Sequence, residues 1–81
     1  MKSKVKFPNN YIQDYRENIG RAIRSIREEK GFSQDELAEI MEVQRSTISK
    51  IENGKFSVSI DYIAKFAWYL DFEIALLPKE K

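Results

Sequence analysis

Four side chains between Gln44 and Asn53 carry the most usable chemistry in this 81-residue sequence: Arg45, Ser46, Ser49 and Lys50. A rotation of about 100° per residue gathers them on one side of a helix and puts Ile48 and Ile51 on the other. Two cations and two hydroxyls on one stripe can donate to, and accept from, a polar partner surface. That is recognition chemistry rather than bond-making chemistry. For the latter the parts are missing: the chain has no His and no Cys, which removes the commonest metal ligands, the neutral-pH proton shuttle and the thiolate nucleophile. There is no phosphate-cradling glycine loop and no convergent acid–base pair, so the sequence predicts neither an enzyme nor a cofactor. Asp35, Glu36, Glu39 and Glu42 read as a solvated helix face with favourable charge near its N-terminus.

A net charge of +1 conceals strong segregation. Residues 1–31 carry eight cations against four carboxylates, residues 32–43 four carboxylates and no cation, and residues 44–58 three cations against one carboxylate. Binding to phosphates depends on where cations sit more than on their total, so a near-neutral chain can present a basic face. No run approaches the roughly 18 apolar residues of a membrane span, and the N-terminus lacks the apolar stretch of a signal peptide. A cytoplasmic setting without membrane contact is expected.

The elements that must position those four side chains are legible from capping and periodicity. Residues 1–10 form a basic, flexible arm, and residues 11–70 one domain. Tyr15, Ile19, Ala22, Ile23 and Ile26 share one helical face, with Gly31 as the stop and Gly20 as a possible break. Ser33 and Glu36 form a capping box, with Phe32 and Leu37 as the hydrophobic staple, so a helix begins here and carries Leu37, Ala38 and Met41 inward. Only Glu42 and Val43 separate it from the helix at Gln44, which Asn53-Gly54 closes. Ser59 caps a fourth helix, Ile60 to about Leu70.

That fourth helix is apolar almost all round. Either Ile60, Ile63, Ala67 and Leu70 make the core while the aromatics lie half exposed, or the helix has a second buried surface; the wrapped apolar pattern favours the second. Phe66, Trp68 and Tyr69, with Phe72, Ile74 and Leu76, are accordingly expected at a dimer interface. Residues 71–78 alternate at a period of two up to Pro78 and read as a dimerisation strand, paired with the same strand of a second copy; a fifth helix is the other reading. Residues 79–81 are a tail. At this length a single core is marginal, since about 60% of the unfolded surface is buried, which also favours a partner subunit.

Two helices joined by a short turn, the second with a basic outer face, is the geometry that sets a recognition helix in the major groove. Here the sequence resembles the Cro and lambda-repressor type of helix-turn-helix, the XRE family, through Ile19-Gly20 to Arg27, Gly31-Phe32-Ser33-Gln34, Leu37-Ala38, Ser46-Thr47-Ile48-Ser49 and Ile51-Glu52-Asn53-Gly54-Lys55. The resemblance covers about residues 16–70. It implies an all-α, compact four-helix lambda-repressor-like domain, to which the short C-terminal strand across a homodimer would be added. It also implies that Arg45, Ser46, Ser49 and Lys50 read bases, that Gln34, Gln44, Asn53 and Lys55 touch the DNA backbone, and that Arg27 and Glu52 form a structural pair. The expected partner is double-stranded DNA with a palindromic site, bound by a homodimer repressor. The DFEIALLPK run resembles, more weakly, the antitoxins of the HipB and HigA kinds, which would add a toxin protein as partner. Two departures stand out. Glu42 occupies a turn position where the family commonly has Gly, at a cost on the order of 1 kcal/mol if left-handed, and Gln44 is a weaker cap than Ser or Thr.

Overall fold

The computed structural model describes residues 6–55 and 57–79. Lys2 and Lys4 of the basic arm lie outside them. Four helices follow in order: α1 (Tyr11–Glu29), α2 (Gln34–Met41), α3 (Arg45–Glu52) and α4 (Ile60–Leu70). α1 packs on α3 and α4, and α2 on α3 and α4. The core between them is Ile23, Leu37, Ala38, Met41, Ile48, Ile51, Phe66 and Leu70, with Ile19, Ile26, Phe32, Val43, Val58, Tyr62 and Phe72 packed around it.

All four helices close in the same manner, with one residue in the left-handed region after the last turn. Gly31 (φ 85°) and Gly54 (φ 69°) serve α1 and α3, where the missing Cβ removes the steric cost. Glu42 (φ 60°) and Asp71 (φ 61°) serve α2 and α4. The amides of Glu42 and Val43 donate to Glu39 (3.2 Å) and Ala38 (3.0 Å), so the otherwise orphaned carbonyls of α2 are satisfied despite the strain. The turn therefore keeps the left-handed shape without its usual glycine.

Gly20 does not break α1, which runs unbroken from Tyr11 to Glu29. Its role is contact. A Cβ at this position would lie 2.6 Å from the Glu52 carbonyl oxygen and closer still to that of Ile51, so the backbones of α1 and α3 touch here.

The α4 stripe turns out to be Phe66 and Leu70, both fully buried, with Tyr62 packed on the same cluster. Ile60 is 64% exposed and Ile63 and Ala67 only half-buried. Where nearly every position is apolar, periodicity cannot select the inward face; the neighbouring core does. Phe66 is thereby corrected: with none of its surface exposed it belongs to the chain's own core, not to an interface.

Within the single chain residues 72–79 form no strand, and there is none among the described residues. A strand exists only through bonds to a neighbour, and α4 instead leads into a strap along α1. Tyr15, Ile19, Ala22, Ile23, Ile26 and Ile63 line one side of an apolar groove of about 490 Å³, and Phe72, Ile74 and Leu76 the other. At the strap's end the Lys79 ammonium lies 5.5 Å from the centre of the Tyr11 ring.

Candidate nucleic-acid interface

The site begins with the two helix N-termini that meet across the turn. At α2, Ser33 Oγ accepts from the Glu36 amide (3.0 Å) while the Ser33 amide donates to Glu36 Oε1 (2.8 Å). This reciprocal cap fixes where α2 starts, and so fixes Gln34 and Asp35 in its first turn. At α3, Gln44 takes the capping conformation, but its side chain makes no capping bond. α3 is held by burial instead, with Ile48 and Ile51 enclosed in the core.

Beneath the pair lies a buried charge cluster. Glu52, 4% exposed, accepts from Arg27 Nε (2.6 Å) and Nη2 (3.1 Å) and from Gln34 Nε2 (3.0 Å). Arg27, 6% exposed, also donates from Nη1 to the Phe32 carbonyl at 2.7 Å. Hydrogen bonding to Glu52 raises the Arg27 pKa further above its ordinary value, outweighing the opposing effect of burial. Three helices and the α1–α2 turn are thus tied through one ion pair, Arg27 with Glu52. A fork-to-fork pair of this kind fixes orientation as well as distance.

The outward face of α3 presents Arg45, Ser46 and Lys50, all exposed, with Ser49 half-buried between them. Asn53 Nδ2 donates to Ser49 Oγ at 3.4 Å, joining the helix's end to its middle. Gln44, Asn53 and Lys55 are exposed at its two ends. Gln34 is half-buried, its amide anchored on Glu52. The eight residues expected to meet DNA thus lie at the start of α2, along α3 and just beyond it.

Two contacts were not legible in the sequence. Arg45 Nε sits 3.5 Å from Asp35 Oδ1, linking the first turns of α2 and α3. Gln13 Nε2 donates to the Gly54 carbonyl (3.0 Å), tethering the segment after α3 to α1 across 41 positions. Both depend on tertiary placement, for which the residue types alone give no signal.

The residues expected at a dimer interface divide. Trp68 is 80% exposed, beside a shallow concavity it shares with Ala64, Ala67, Asp71 and Phe72. Ile74 and Leu76 lie on the groove side, and half-buried Phe72 stands between the two. Tyr69 is 37% exposed. Among the described residues no group of three or more acidic side chains is placed to hold a metal, and no helix is long and apolar enough to cross a membrane.

Residues 23–77 match the helix-turn-helix family, and the chain belongs to it. It is 41% identical over 64 residues to the HTH-type transcriptional regulator SinR of Bacillus subtilis, covering 78% of this chain and 58% of that protein. It is 39% identical over 51 residues to the competence pilus inhibition repressor of Acinetobacter baylyi, covering 59% of this chain and 46% of that one. The chain thus spans about half the length of these relatives. Among solved structures, the restriction-modification controller protein C.AhdI of Aeromonas hydrophila superposes with a TM-score of 0.70 at 35% identity, covering 74% of this chain and 91% of that one. The clp gene regulator ClgR of C. glutamicum gives 0.67 at 33% identity, covering 82% and 81%.

Proposed function

We propose that this helix-turn-helix protein is a sequence-specific DNA-binding transcriptional regulator, acting as a homodimeric repressor on a palindromic operator. The observation that carries the reading is the outer face of α3: Arg45, Ser46 and Lys50 stand exposed on a helix whose opposite side is locked into the core. Arg or Lys can bridge O6 and N7 of guanine, and Ser can serve any base edge. Gln34, Gln44, Asn53 and Lys55 flank that face and contact phosphates, which positions the protein without specifying sequence. The names of the relatives, regulators and a repressor, agree with this role, and none refers to a toxin. Two copies would set their α3 helices about 34 Å apart on one face of the duplex, using the apolar surface of Trp68, Tyr69, Phe72, Ile74 and Leu76.

An anisotropy titration against duplexes selected by the protein from a random pool tests the assignment. Arg45→Ala and Lys50→Ala should each weaken specific binding by about 1–3 kcal/mol. Affinity should fall steeply with salt, and Lys55→Ala should lower the log–log slope by about 1 for all sequences. Unchanged specificity in both α3 variants would overturn the base-reading face.

A further inference from the structure

The pair between Arg45 and Asp35 has a geometry that matters for reading. Arg45 Nε, not the guanidinium tip, faces Asp35 Oδ1 at 3.5 Å. A guanidinium drawn to a carboxylate on its Nε side, at ion-pair distance and without a hydrogen bond, still offers the Nη1 and Nη2 edge, two parallel N–H groups suited to the O6 and N7 acceptors of one guanine. We infer that Asp35 is a specificity-determining residue: it holds Arg45 so that its free edge meets a single guanine squarely.

As a stabilising contact the pair is minor. Both side chains are largely exposed, 62% for Arg45 and 80% for Asp35, and exposed ion pairs contribute little to folding. Its effect lies in what Arg45 loses on binding. A free arginine samples many rotamers, and a guanidinium already drawn toward one carboxylate gives up less of that freedom when it meets its base. Asp35 also has a cost elsewhere. Placed beside the recognition helix, its carboxylate repels the phosphates of any duplex. It therefore penalises binding wherever the properly placed guanine is absent, which is discrimination through repulsion as well as attraction. The carboxylate's own position is set by the cap: Ser33 and Glu36 fix the first turn of α2, whose N-terminal dipole favours a negative charge at Asp35.

The inference rests on the base-reading role of Arg45, and the test separates the two. The 81-residue chain is titrated against its selected duplex and against derivatives in which each G·C pair is replaced by A·T. Arg45→Ala first identifies the guanine it reads, as the one position where discrimination vanishes. Asp35→Ala should then reduce discrimination at that position alone by about three- to tenfold, while binding to unrelated duplexes strengthens because a repulsive charge is gone. In the Arg45→Ala background, Asp35→Ala should leave discrimination unchanged. Circular dichroism verifies that α2 persists in each variant. A uniform gain for every duplex, with discrimination intact, would mean that Asp35 acts only as a bulk charge and would overturn the inference while sparing the function. If Arg45→Ala alters discrimination nowhere, the base-reading role and this inference fail together.

Discussion

The α2–α3 pair and the α4–strap region use apolar and polar residues in opposite ways. In the first, several polar side chains find partners within the same chain: Ser33 with Glu36, Gln34 with Glu52 and Asn53 with Ser49 through hydrogen bonds, and Arg45 with Asp35 as an ion pair. In the second, large apolar groups stay exposed, with Trp68 at 80%, Leu76 at 93% and Leu77 at 85%. A single copy thus assembles the whole recognition unit. The apolar surface is the kind that another protein surface completes.

The sharpest break of this contrast comes from two residues two positions apart on α4. Phe66→Ala empties the centre of the core and should cost about 3–5 kcal/mol in urea unfolding. Trp68→Ala should leave the stability of the isolated chain within about 0.5 kcal/mol, yet shift the mass measured by light scattering toward the monomer if Trp68 belongs to a dimer contact. A large stability loss from Trp68→Ala would erase the distinction. Within the recognition unit, Glu52→Ala strands a buried guanidinium and should cost about 3 kcal/mol; a loss below about 1 kcal/mol would show that Arg27 finds water instead, and that the three-helix tie is weaker than its geometry. A further effect has the opposite sign. Glu42→Gly relieves the left-handed turn and should stabilise by about 1 kcal/mol, read as a raised melting temperature, without changing DNA affinity.

This contrast also explains which parts were legible in sequence. Ser33 with Glu36, and Ser59 before α4, are local signals, because a cap satisfies amides three residues away; both form. Ile48 and Ile51 face inward because α3 has one apolar side only. α4 offers no such choice: with nearly every position apolar, its pattern sends Phe66 outward although the core takes it, and makes Ile60 a core candidate although it is 64% exposed. The alternation in residues 72–76 is real, but alternation gives a strand only when another backbone lies alongside. Asp35 with Arg45, and Gln13 with the Gly54 carbonyl, are meetings that only the packed helices bring about.

The contact at Gly20 has a consequence for how such a protein diversifies. Because α1 meets the carbonyls of Ile51 and Glu52 backbone to backbone, the seating of α3 depends little on the side chains along its outer face. Arg45, Ser46, Ser49 and Lys50 can therefore be exchanged like type in a fixed printing block. The mounting stays in register, and only the characters change.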